Sequence, residues 1–225
     1  MHYLPLYISL VFGLTAICTV FIFFKATADS YRTLFVLLGW MALQAFIAIT
    51  GFYTYTSSMP PRFIGAVLPA LLFILFLFAR PKGREYLDNL DLKTLTLLHI
   101  IRIPVELVLL WLSMRHVVPA LMTFEGRNFD IISGITAPII WYFVFVKEQW
   151  GRSILLAWNI VCLGLLLNII INAVLSAPFP FQQFAFDQPN VAILYFPFIW
   201  LPCCVVPVVL FSHLVAIRQL TRKKN

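Results

Sequence analysis

The sequence predicts an all-α fold: a polytopic transmembrane bundle of seven spans, with the N-terminus outside and the C-terminus in the cytoplasm. Three observations predict it. Of 225 residues, 62% are hydrophobic and 11% charged, against roughly 45–50% and about 25% in soluble domains. The apolar residues gather into runs near 4–24, 34–55, 63–79, 95–114, 131–146, 154–176 and 192–217, each long enough or nearly so to cross about 30 Å of hydrocarbon as a helix. If all seven cross, one side holds Lys25, Arg32, Arg80, Lys82, Arg84, Lys93, Lys147, Arg152, Arg218, Arg222, Lys223 and Lys224, and the other only Arg62, Arg115 and Arg127. That asymmetry places the first set in the cytoplasm and accounts for the net charge of +7 as a topology signal and a contact with anionic lipid. It gives no reason to expect a nucleic-acid partner. The chain reads as one integral membrane domain over residues 1–225.

The first run ends at Ala26-Thr27-Ala28, a small-x-small pattern like a signal-peptidase site. No positive residue precedes the run, the run is long, and Lys25 and Arg32 follow where cytoplasmic charges belong, so an uncleaved span is expected. The second run carries Gln44 near its middle. The third and fifth runs sit at the lower margin of length, where a re-entrant segment is the alternative to a span. Between the third and fourth, residues 80–93 mix both signs with Leu87, Leu90 and Leu92, which suits a short surface helix or a solvated linker.

The fourth run holds the residues least suited to lipid. His99, Arg102 and Glu106 are spaced three and four apart and project from one helical face, with Ser113 on the same stripe. Its leucines, isoleucines and valines offer about −5 kcal/mol of insertion energy, while Arg and Glu near the midplane oppose with about +6. The helix must therefore turn that stripe inward. Pro104 removes the backbone bond to the Ile100 carbonyl and opens the ladder between the two charges. An Arg102–Glu106 ion pair clamping the bundle is one reading; a substrate, ion or proton site is the other, and the default for intramembrane ionisable groups. Gln44 and Asn168 fall at similar depth and would complete a polar belt, with Asn159 nearer the His99 level; each alone is ordinary interhelical glue.

Ahead of the fifth run lies Thr123-Phe-Glu-Gly-Arg-Asn-Phe-Asp130. Asn128 and Asp130 suit an N-cap; Glu125, Arg127 and Asp130 would alternatively gate an outward-facing cavity. Residues 176–190 alternate phenylalanines with prolines and glutamines and read as an interfacial segment. The last run carries Pro197, Pro202 and Pro207, each deleting a ladder bond, and so reads as a bent or broken helix able to act as a hinge. His213, near its inner end, reads as interfacial.

Cys18, Cys162, Cys203 and Cys204 all lie inside predicted spans and read as small packing residues. No metal spacing and no cofactor motif appears, and the last run has no lysine to hold retinal. GxSxG, HExxH and P-loop patterns are missing. The chemistry that remains is a small-molecule, lipid or proton-linked carrier or sensor in which His99, Arg102, Glu106, Gln44 and Asn168 form the site. Alternatives are an intramembrane lipid-modifying enzyme and an accessory subunit of a membrane complex. Membrane lipids are the expected partners, and the lack of Asn-x-Ser/Thr sequons suits a bacterial inner membrane.

Overall fold

The structure, a computed structural model, describes residues 4–222; His2, Lys223 and Lys224 lie outside the described residues. Those described form helices joined by turns, with no strand among them. The α-helices are α1 (Leu6–Ala26), α2 (Tyr31–Ile49), α3 (Ile64–Ala79), α4 (Pro81–Asp88), α5 (Leu92–Leu98), α6 (Arg102–Met114), α7 (Ile131–Phe145), α8 (Arg152–Ser176) and α9 (Val206–Thr221). Among the described residues five helical stretches are long and apolar enough to cross a membrane: α1, α2, α5 with α6 as Leu92–Met114, α8, and Leu201–Thr221. These helices are compatible with an integral membrane protein. The α3 helix is shorter and bends by 93° into α4, and α7 is a shorter apolar helix.

Local chemistry sets the boundaries. Ser30 caps α2 by accepting from Thr33 N at 3.4 Å, and Asp91 caps α5 by accepting from Thr94 N at 2.9 Å. The second run ends earlier than its hydropathy implies, because Gly51 takes φ +76° and turns the chain into a 3-10 turn at Phe52–Thr54. The 80–93 connection contains a true helix. Gly83 of α4 lies so close under α3 that a Cβ there would stand 2.2 Å from the Leu77 carbonyl oxygen. Asp88 of α4 then pairs with Arg218 Nε at 3.0 Å and with Arg222, fastening α4 to the end of α9.

The last run departs most from expectation. Residues 192–200 form a 3-10 turn at Ala192–Leu194 and further turns, and the helix begins only at about Leu201. Pro197 therefore precedes the helix, and Pro202 occupies its first turn, where no N–H is needed. Only Pro207 acts inside, and the Leu201–Val205 stretch before it is wound as a wider π-turn. The Cys203 carbonyl, denied the N–H of Pro207, accepts from Trp40 Nε1 at 2.9 Å. Trp200 Nε1 donates to the Met41 carbonyl at 2.9 Å. A proline that leaves a carbonyl orphaned in an apolar setting is thus repaired by the neighbouring helix.

Two connections contain no α-helix, only single 3-10 turns at Ala120–Met122 and Ala192–Leu194, yet are packed into the protein. Residues 115–130 and 177–200 hold each other: Val191 N and Ala192 N both donate to the Val117 carbonyl at 3.1 Å. Gln188 Nε2 donates to the Ser113 carbonyl at 3.1 Å and to the Val118 carbonyl. The segment 177–200 is thus no simple surface strip. Phe179, Asn190 and Ile193 are buried in it, while Phe186 stays exposed.

Candidate functional site

The α5–α6 span is not one continuous α-helix. At His99–Ile101 it tightens into a 3-10 turn, immediately before Pro104, whose ring and missing N–H disrupt the α-ladder at Ile100. This turn sits mid-span and carries His99, with Arg102 directly following. Gly134 of α7 makes the approach of its neighbour possible: a Cβ at that position would lie 2.9 Å from Ile103 Cγ1, 3.0 Å from Ile103 N and 3.2 Å from Arg102 Cβ. The N-terminal end of α7 is thereby pressed against Arg102.

The ion pair forms there, with a partner other than the one the helical spacing suggests. Arg102 Nη1 donates to Asp130 Oδ1 at 2.7 Å, and Arg102 and Asp130 are 3% and 5% exposed. Asp130 thus neither caps α7 nor lines an outer gate; no side-chain capping bond is made there. Glu125 and Arg127 stay exposed, so the proposed trio of gating charges is split. Arg102 is the eleventh residue of the 23-residue Leu92–Met114 stretch, so Asp130 lies level with the middle of that helical stretch rather than beyond its end.

Glu106, 2% exposed, does not pair with Arg102. Its Oε1 accepts from Asn128 Nδ2 at 2.6 Å, and Asn128 Nδ2 also donates to the Met122 carbonyl at 3.0 Å. Asn128 Oδ1 in turn accepts from Asp130 N at 3.0 Å. Asn128 is fully buried, and sequence reasoning read it only as a cap. Its backbone is held by a tight loop in which a Cβ on Gly126 would fall 2.3 Å from the Ala120 carbonyl oxygen.

His213 completes the cluster from α9 and is not interfacial: it is 0% exposed. Its Nε2 lies 3.1 Å from Arg102 Nη2. A guanidinium only donates, so Nε2 accepts. The ring hydrogen is then on Nδ1 and is donated to Asn159 Oδ1 at 2.8 Å, while Asn159 Nδ2 donates to the Leu155 carbonyl at 2.9 Å. The His213 ring stacks on His99 at 3.9 Å between centroids, and Trp158 stands edge-on to His99 at 5.5 Å. Arg102 thus bridges α6, the entry to α7, and α9.

Four buried polar atoms in this region have no hydrogen-bond partner: Glu106 Oε2, Arg102 Nε, His99 Nδ1 and Ser133 Oγ. Orphaned buried groups are uncommon and each one calls for a physical reason. The other residues expected in the site lie elsewhere. Gln44 Oε1 accepts from the Tyr53 hydroxyl at 2.6 Å, between α2 and the turn after it. Asn168 is exposed and donates to the Arg127 carbonyl at 2.9 Å. Neither shares a hydrogen bond with the Arg102 cluster, so the belt inferred from depth alone is not a single network. Among the described residues no group of three or more His, Cys, Asp or Glu side chains is placed to hold a metal ion.

Residues 60–221 match the model of a family described as Domain of unknown function (DUF8737). No curated protein and no solved structure matches the chain. The matched stretch runs from before α3 to the end of α9 and includes every member of the cluster, while α1 and α2 precede it.

Proposed function

The chain belongs to the family described as Domain of unknown function (DUF8737), and from that premise we propose that it is a proton-linked membrane carrier or sensor in which Glu106 takes up and releases the proton. One observation carries the reading, a charge count. Arg102 is matched by Asp130; Glu106 has only the neutral Asn128 on one oxygen and nothing on the other. An ionised Glu106 makes the buried set net negative, and a proton restores balance. A second carboxylate beside one guanidinium is the arrangement that exchanges a proton rather than one that locks helices together.

The topology proposed with this function has seven crossings in one domain, N-terminus outside and C-terminus inside, in a bacterial inner membrane with lipids as partners. The fifth crossing is then a composite: an irregular leg over residues 119–130, with one 3-10 turn at Ala120–Met122, and the short helix α7, meeting at Asp130. Irregular backbone at such depth is tolerated where protein buries it, and helices interrupted mid-membrane are a recurring way to build carrier sites. Pro202, inside the π-turn of the last helix, and Pro207, just after it, are the hinge in this reading; Pro197 belongs to the preceding turn. Gln44 and Asn168 act as fasteners between segments. Glu125 and Arg127 are left at the outer surface.

The test uses purified protein in liposomes with a pH-reporting dye inside. A potassium diffusion potential is imposed, and proton entry is compared between wild type and Glu106→Gln. The reading expects entry in wild type and its loss in the variant at unchanged thermal stability. Equal proton movement in both refutes it.

A further inference from the structure

The same cluster contains the pieces of a route by which the proton leaves Glu106. Resting on the proton-carrier reading, we propose that a short file of water molecules joins Glu106 Oε2 to His99 Nδ1, anchored on Arg102 Nε and Ser133 Oγ, and that His99 is the group that next receives the proton.

The argument begins with which histidine nitrogen is free. His213 is fully engaged, Nε2 accepting from Arg102 and Nδ1 donating to Asn159. A second proton there would sit on the nitrogen that faces a guanidinium and break that bond. His99 is held by packing instead, stacked on His213 and edge-on to Trp158, and its Nδ1 is buried without a partner. It is the histidine with an uncommitted nitrogen in the cluster.

Spacing supplies the next step. His99 and Glu106 are seven residues apart on one span, roughly 10 to 12 Å along the axis at 1.5 Å per α-residue and 2.0 Å per 3-10 residue. That is too far for direct transfer and is the reach of about three water molecules at ordinary hydrogen-bond separations. Arg102 lies between the two in sequence. Ser133 lies one residue from Gly134, whose backbone is packed on Arg102 and Ile103, which sets it at the same level. The four unpartnered atoms therefore belong to residues at neighbouring levels of the α5–α6 span and of α7 packed on it. Buried water is held by two to four such polar partners, and each of these atoms has hydrogen-bonding capacity left, Ser133 Oγ lying beside the Cys162 thiol.

The transfer conserves atoms and charge. The O–H bond at Glu106 Oε2 breaks, each water passes on one proton as it gains another, and an N–H bond forms at His99 Nδ1. The product is a Glu106 carboxylate and a His99 imidazolium. The titratable and charged groups facing the route are Glu106, Arg102 and His99 on the α5–α6 span, Asp130 at the entry to α7, Cys162 on α8 and His213 on α9. Arg102 repels the imidazolium, and Asp130, paired with Arg102, offsets part of that repulsion.

Two readouts test it on the full chain in lipid bilayers. With histidine labelled by nitrogen-15, magnetisation transferred from water is expected to reach His99 Nδ1, the signal being assigned by its loss in His99→Gln. In infrared pH-jump experiments, the carboxyl band assigned by its loss in Glu106→Gln is expected to relax at least tenfold more slowly in Ser133→Ala, with its final amplitude intact. Ser133→Ala removes one hydroxyl and leaves the packing in place. A Glu106 band with no water transfer to His99, or with Ser133→Ala relaxing at the wild-type rate, overturns the water route alone. No Glu106 carboxyl band at any pH overturns the proton-carrier reading, and the route falls with it.

Discussion

Replacing Asp130 by Asn and Glu106 by Gln removes one buried carboxylate each, yet the two substitutions are expected to differ widely in stability. Among the described residues Asp130 is the sole carboxylate bonded to Arg102, and Arg102 is 3% exposed. Asp130→Asn keeps the shape but leaves the guanidinium without a counter-charge, and breaking a buried pair in this way costs about 3–5 kcal/mol. At about 2–4 °C per kcal/mol for a chain of this size, that is a fall of roughly 6–20 °C in melting temperature. Glu106→Gln is different. The amide oxygen still accepts from Asn128 Nδ2 as Oε1 does now, and the amide nitrogen replaces an oxygen that has no partner, so a change of about 1 kcal/mol or less is expected. The assay is thermal unfolding of detergent-purified variants followed by intrinsic tryptophan fluorescence, with the double variant Asp130→Asn/Arg102→Met included. Removing the guanidinium together with its partner recovers a measurable part of the loss if the charge is the cause. If Glu106→Gln falls as far as Asp130→Asn, the pairing of Arg102 with Asp130 is refuted and the i,i+4 clamp is reinstated.

Gly134→Ala drives a methyl into Ile103 and Arg102 Cβ at about 3 Å and is expected to destabilise by about 1–3 kcal/mol; an unchanged melting temperature refutes the close approach of α7. Trp40→Phe removes the donor to the Cys203 carbonyl and is expected to destabilise by about 1–3 kcal/mol, the range for an orphaned buried acceptor, whereas Trp40→Phe made together with Pro207→Ala is expected to lose less, since the carbonyl regains a backbone donor. On the α4 surface helix, burial pushes the Tyr86 phenol above its ordinary value, opposed by the hydrogen bond with Thr33. The folded state therefore holds that proton more tightly than the unfolded state. Its contribution is complete below the ordinary phenol value and is lost as pH rises towards the raised folded value; the alkaline fall in melting temperature is expected to be shallower in Tyr86→Phe.

Hydropathy and spacing made the all-helical class, the several membrane-length apolar helices and the inward-turned stripe of the fourth run legible. His99, Arg102 and Glu106 are buried on one stripe as the three-and-four spacing requires, and Pro104 is accompanied by a 3-10 turn beside Ile100. Partners across the fold were not legible. Helical periodicity reports which residues share a face of one helix, so it suggests Glu106 for Arg102; Asp130 enters from a connection that no periodicity describes. Asn128 and Asp130 look like caps because polar residues ahead of an apolar run usually are. A hint was available: at 15 residues the apolar helix α7 is shorter than the membrane-length stretches, so if this run is a span the polar residues ahead of it have to supply the remaining length. His213 was misplaced for a related reason, since distance from the end of a run estimates depth but says nothing about which helix face is covered. The last run failed at its start because an apolar stretch can be a buried connection as easily as a helix.

The two irregular connections explain why the charged stripe is stable at all. Residues 115–130 bring a carboxylate to Arg102 and an amide to Glu106, which no rigid helix starting at the surface would do at that depth. Such backbone needs its own donors and acceptors met in an apolar setting, and the second connection meets several: Val191 N, Ala192 N and the Gln188 amide bond to Val117, Val118 and Ser113 carbonyls. The second connection is in turn anchored where Asn190 N donates to the Ser176 carbonyl at the end of α8. Gln188 is therefore a residue on which the Arg102–Asp130 pair depends without touching it. Gln188→Leu leaves the Val118 carbonyl without its donor, at about 1–3 kcal/mol where no water reaches it, while the Ser113 carbonyl keeps the His116 N–H at 2.9 Å, and it loosens the leg that carries Asp130. Combined with Asp130→Asn it is expected to destabilise by less than the sum of the two single changes, since a leg already released from Arg102 has less to lose; strict additivity means that the two connections do not support one another.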